Sequence, residues 1–158
     1  MELTTVKPTK IYVDADACPV KDEVYRVAMR YGLKVFVVAN SVMSVPQTPL
    51  VERVIVDAGP DAADDWIAER VAPGDVAITA DIPLADRVLK AGAQALAPTG
   101  KPFTRDSIGM ALAQRSILEQ LRSTGEALGG PKPFDRNDRS RFLQALDAAI
   151  QRVRRGRP

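Results

Sequence analysis

The sequence predicts a single α/β domain built on a mostly parallel sheet with helices on both faces, and three observations carry that prediction. Short β-branched runs alternate with amphipathic helical patterns along the first hundred residues. Acidic residues gather just after those runs, where the ligand edge of a parallel sheet lies. The 158 residues are the length of one domain, and a domain of that size buries roughly 70% of its unfolded surface without a disulfide or structural metal.

Candidate strands fall at 11–13, 35–39, 54–56, 76–80 and 95–97. A first helix begins near Pro19, places Val20, Val24, Val27, Ala28 and Tyr31 on one face, and stops at Gly32. Further helices are expected at 62–71, closed by Pro73-Gly74, and at 83–91, closed by Gly92. Segment 40–50, with Ser41, Ser44, Pro46 and Pro49, has no helical period and reads as an irregular loop in place of a crossover helix. Two extra C-terminal helices, 106–123 and 139–153, flank a breaker-rich stretch with Gly129-Gly130-Pro131. The domain is therefore expected over 1–153, with 154–158 a flexible basic tail.

Composition narrows the chemistry. The chain has no histidine and one cysteine, Cys18. Histidine-based triads, histidine-ligated zinc and thiolate cages are excluded, so any metal would be held by oxygen, which favours Mg²⁺ or Mn²⁺. The N-terminal residues lack a secretory apolar run and no segment is long enough to span a bilayer, which predicts a cytoplasmic protein. The net charge of +2 hides an asymmetry. Residues 1–100 carry 10 basic and 14 acidic side chains, a balance of −4, whereas residues 101–158 carry 12 and 6, a balance of +6. A carboxylate-bearing body beside a basic C-terminal third suits a cation site next to a phosphate-attracting surface, although solvated helix faces account for the same arginines.

Asp14 and Asp16 follow the first strand, Asp81 follows the fourth, and Asp61, Asp64 and Asp65 open the helix after the third. Acids at a helix start are favoured by the macrodipole, so part of the Asp61 group could be capping. A carboxylate ending a buried strand is different. It must be solvated, hydrogen-bonded or metal-bound, and two of them side by side repel unless a cation or shared proton intervenes. A cleft that holds a divalent metal resolves the conflict.

The motifs Asp14-Ala15-Asp16-Ala17-Cys18-Pro19, Ala39-Asn40, Asp61-Ala62-Ala63-Asp64, Thr79-Ala80-Asp81-Ile82-Pro83-Leu84-Ala85, and Gly129-Gly130-Pro131 followed by Asp138-Arg139 and Phe142 occur in order. Together they resemble the YaiI/YqxD family of uncharacterised bacterial proteins over residues 10–153. The resemblance implies a PIN-like three-layer fold. Active nucleases of that fold bind magnesium or manganese through acids after the first strand, in a middle helix and after the fourth strand. Carried over, Asp14 takes the first position, Asp61 or Asp64 the middle one and Asp81 the last, with Asp16 an additional ligand and Asp65 a further candidate for the middle. The implied activity is metal-assisted hydrolysis of RNA or DNA, with RNA the weakly favoured partner.

Four side chains are candidates for substrate contact. Arg115 falls within the apolar stripe formed by Ile108, Ala111, Leu112, Leu118 and Leu121, where a guanidinium needs an acidic or phosphate partner or must reach water. Lys21 lies in the first turn of the first helix, and Asn40 ends the second strand. Arg139, with Arg136 and Arg141, sits near a helix start where a cation opposes the dipole, so a ligand or an acidic neighbour is expected. Cys18 and Trp66 read as buried structural residues.

Two other enzyme classes share parts of this pattern. Phosphorylation receivers match Asp14 with Asp16, Asp57, Thr79 and Lys101-Pro102, but usually have adjacent acids at the first strand and no two further helices. Haloacid-dehalogenase phosphatases open with Asp-x-Asp, yet their later lysine and paired acids are not found in order. A third reading is non-catalytic, a scaffold that binds RNA or a ribonucleoprotein through the basic helices.

Overall fold

A computed structural model of the chain describes residues 8–59, 61–123 and 134–155, with the backbone alone for residues 17 and 115–123. Five parallel strands form one sheet: β1 (Lys10–Asp14), β2 (Lys34–Ala39), β3 (Val51–Ile55), β4 (Val76–Ile78) and β5 (Gln94–Leu96), in the order β3-β2-β1-β4-β5. Around it run α1 (Lys21–Tyr31), α2 (Ala62–Arg70), α3 (Ile82–Lys90), α4 (Arg105–Ser123) and α5 (Arg136–Arg155).

The period of two in each strand sorts side chains between two cores. Ile11, Val13, Val35, Val37 and Ala39 point to the face covered by Val24, Val27 and Ala28 of α1 and Phe142, Leu146, Ala149 and Ile150 of α5. Tyr12, Val38 and Ala77 point to the opposite face, against Ile67 of α2, Leu84 and Val88 of α3 and Ile108 of α4. The result is the expected three-layer α/β architecture, with both faces of a parallel sheet covered. Both C-terminal helices exist and serve opposite layers.

Local chemistry explains the boundaries. Helix α1 ends because Gly32 adopts a left-handed φ of 66° and its amide donates to Ala28 O. Thr104 and Ser107 exchange side-chain-to-backbone hydrogen bonds at the start of α4, and Asp135 and Asp138 do so at the start of α5. That second pair starts α5 at Arg136, three residues before the expected 139, and the helix continues to Arg155. Residues 156–158 of the expected tail lie outside the described residues. Strand β3 begins at Val51 rather than 54 because an edge strand tolerates the exposed Glu52 and Arg53, which break an apolar pattern. Segment 40–50 contains no helix, as its composition predicts.

The strand order bears on the receiver comparison. Receivers use the order 2-1-3-4-5, whereas here β3 is an edge strand separated from β1 by β2. Asp57 is consequently exposed beyond that edge and does not share the β1 site.

Candidate functional site

Strands β1 and β4 are hydrogen-bonded neighbours, with Val13 opposite Ile78, so the chain just past each emerges at the same carboxyl edge. There the backbone after β1 turns through a short 3-10 helix, Ala15–Ala17, which presents Asp16 to solvent. Beyond β4, Asp81 becomes the N-cap of α3, its Oδ1 accepting from Leu84 N at 2.8 Å. Asp14, Asp16 and Asp81, with Cys18, Ala80 and Pro98, line a cleft of about 240 Å³.

Thr79 joins the two strand-end acids. Its buried hydroxyl accepts from Asp81 N at 3.0 Å and donates to Asp14 Oδ2 at 2.8 Å. Because the lone pair faces an N–H, the hydroxyl proton is left for the carboxylate, and this fixes the Asp14 rotamer. Sequence reasoning placed Thr79 in a family motif but gave it a role only in the receiver pattern. The signal that finds it is its position two residues before Asp81 at the strand end, where a hydroxyl can bridge backbone and neighbour.

Electrostatics tie in the middle acid. The Asp14 carboxyl is pushed up, first by burial and then by repulsion from Asp81 and Asp16, with the Thr79 hydrogen bond opposing. Asp64, in the first turn of α2 and half-buried, is pushed up to about 6 by burial and by repulsion from Asp81, Asp14 and Asp61, while Arg87 opposes weakly. Asp65 turns away and pairs with Arg87 at 2.8 Å. Asp64 therefore shares a field with both strand-end acids. Asp61 occupies the N-cap position, yet its side chain makes no capping bond.

The five candidate metal ligands do not close on one point. Among the described residues no three histidine, cysteine, aspartate or glutamate side chains stand close enough together to hold an ion. The donor set nonetheless suits a hard cation that keeps water. Asp14 and Asp81 each commit one oxygen to a hydrogen bond, their second oxygens have no partner among the described residues, and Mg²⁺ is commonly held by one or two carboxylates with several waters.

Of the four substrate-contact candidates, Lys21, Asn40 and Arg139 hydrogen-bond within the chain. Lys21 Nζ donates to Cys18 O at 2.8 Å and lies 3.5 Å from Ala15 O, so it tethers the turn that carries Asp16. Asn40 contributes its backbone N–H to Asp16, at 3.2 Å from Oδ2. Arg139 donates to Pro19 O at 2.6 Å, stands 3.5 Å from Glu23 and stacks over Phe134, so an acidic neighbour accounts for it. The side chain of Arg115 lies outside the described residues. Cys18 is buried, and burial pushes its thiol up, which disfavours the reactive thiolate. Trp66 stands in an aromatic cluster with Tyr12 and Phe36, under the Arg70 guanidinium. No helix among the described residues is long and apolar enough to cross a membrane.

Comparison with known proteins finds the same family. The family model described as "Uncharacterized BCR, YaiI/YqxD family" matches residues 12–152. A UPF0178 protein of Caulobacter sp. (strain K31) is 67% identical over 147 residues, 93% of this chain and 97% of that protein. One from Rhodopseudomonas palustris (strain HaA2) is 62% identical over 156 residues, 99% of this chain and 95% of its own length. Since both the family model and these relatives run through the acid-bearing edge and α5 alike, the chain belongs to the YaiI/YqxD family.

Proposed function

We propose that the protein is a Mg²⁺- or Mn²⁺-dependent nuclease of the cytoplasm that hydrolyses phosphodiester bonds, with RNA the first polymer to test. The observation that supports this reading is that Asp14 and Asp81, from the ends of neighbouring strands, line one cleft together with Asp16, where burial and mutual repulsion raise the Asp14 carboxyl and the same two acids act on Asp64. Such an arrangement costs stability unless a cation is bound there. Asp14 and Asp81 would hold the ion, with Asp16 and Asp64 flanking. When bound, the metal would lower the pKa of a coordinated water and offset charge on the scissile phosphate. The chain's own part is to aim Asp14 through Thr79, to hold Asp81 on the N-terminus of α3, and to supply at Asp64 a carboxylate able to take up a proton near neutral pH.

The test incubates purified protein with end-labelled single- and double-stranded RNA and DNA, in magnesium or manganese, beside an Asp81→Asn control. Asparagine also caps helices, so α3 keeps its start in the control. Cleavage that needs metal and is lost in Asp81→Asn supports the reading. Cleavage equal in both proteins rejects it, and so does none in either, which leaves a module that binds nucleic acid without cutting or an enzyme acting on a small phosphate substrate.

A further inference from the structure

The start of α5 lies across the rim of the acidic cleft. On one side Arg139 holds Pro19 O, one residue after the cleft-lining Cys18. On the other, the tight turn after β5 carries the cleft-lining Pro98 and presses Gly100 onto α5. A Cβ at Gly100 would stand 2.9 Å from the backbone C and O of Arg141 and 3.0 Å from Phe142 N, so glycine alone allows the approach. Lys101 follows directly. The first turns of α5 thus bridge the segments that follow the two cleft walls, with Arg139 at one, Lys101 beside the other and Arg136 at the head of the helix.

Two of these charges have no structural employment. Lys101 and Arg136 are exposed, and neither has an ion-pair partner among the described residues. Arg136 occupies the first turn of α5, where a cation opposes the dipole. The nearby acids Asp135 and Asp138 turn to backbone N–H groups in the capping pair, and Asp138 also binds Arg141. Arg139 is engaged with Pro19 and Glu23 and serves as the brace that seats the helix.

From this placement we infer that Lys101 and Arg136 form a phosphate-binding rim for a single-stranded nucleic acid, gripping backbone phosphates that flank the one at the carboxylates. The inference rests on the nuclease reading for the position of the scissile phosphate, but binding at the rim needs neither metal nor cleavage. It distinguishes a polymer from a small phosphate ester, because only a polymer supplies phosphates to both the cleft and the rim.

The experiment is fluorescence anisotropy in EDTA, titrating labelled single-stranded RNA and DNA of about 15 nucleotides across a salt series. The proteins compared are wild type, the double variant Lys101→Gln with Arg136→Gln, and Asp81→Asn. Each phosphate contact to a single strand contributes about 0.7 to the slope of log K against log salt, so the double variant should lose about 1.4 in slope and bind roughly 25-fold more weakly at about 0.1 M salt. Asp81→Asn should bind at least as tightly as wild type. The stronger of the RNA and DNA arms names the polymer. A double variant with unchanged slope and affinity overturns the rim, as does wild type that binds phosphatidylglycerol vesicles and neither polymer. The cleavage assay stands apart: Asp81→Asn that cuts like wild type overturns the nuclease reading while leaving rim binding to be judged by slope alone.

Discussion

Replacing Asp64 with asparagine should stabilise the protein at neutral pH in the absence of metal. A rise of the carboxyl from 3.8 to about 6 is worth about 3 kcal/mol at about 1.36 kcal/mol per pKa unit. Asp64 is only half-buried, so solvent screening reduces that to about 1 kcal/mol. Loss of a favourable acid in the first turn of α2 returns about 0.3 kcal/mol. The net gain, near 0.7 kcal/mol, corresponds to a Tm higher by about 2 °C for a domain of this length. The sign follows from linkage. A raised folded-state pKa means the native protein binds more protons than the unfolded chain between the two values, so Asp64's contribution is fully present below 3.8 and lost as pH rises through about 6. An asparagine side chain at that position does not ionise and carries no such penalty. Thermal unfolding of both proteins in EDTA should show the variant more stable at about pH 7.5 and the two converging at about pH 4. An Asp64→Asn protein equal to or less stable than wild type at the higher pH, or a difference that ignores pH, would refute the raised Asp64 carboxyl, to which burial contributes most and the neighbouring acids add.

Other perturbations probe the supports. Thr79→Val removes the donor to Asp14 and the acceptor for Asp81 N, which should cost about 2–3 kcal/mol in urea unfolding near neutral pH and less where Asp14 is protonated. In the same variant the Asp14 carboxyl should titrate still higher, as followed by carboxyl-carbon NMR, since the hydrogen bond lowers it. Gly100→Ala should destabilise by about 2–4 kcal/mol, combining a φ of 93° with the overlap on Arg141, and denaturant midpoints measure it. Cys18 should react slowly with a thiol reagent at about pH 8 in the native protein and quickly once unfolded, because burial both hides the sulfur and disfavours the thiolate.

Much of this site is legible in one dimension because strand ends and helix starts are local events. An acid after a β-branched run must emerge at the sheet edge, so Asp14 and Asp81 identify themselves without knowledge of their neighbours. The ambiguity among Asp61, Asp64 and Asp65 has the opposite origin. All three satisfy the preference for acids at a helix start, and only the rotation of α2 about its axis turns Asp64 toward Asp81 and Asp65 toward Arg87. Arg139 shows the same limit, since its partners Pro19 and Glu23 lie more than a hundred residues away.

By itself, then, the sequence determined the alternation of strands and helices, the helix-free loop after β2, the oxygen-only donor chemistry and the charge division between body and C-terminal third, all consequences of local composition and spacing. The tertiary structure alone decided the strand order that isolates Asp57, the Thr79 link between Asp14 and Asp81, the pairing of Asp65 with Arg87, and the seating of α5 against Gly100. Each of these depends on packing between distant segments, where burial and close contact, which no local pattern encodes, select among side chains that are locally equivalent.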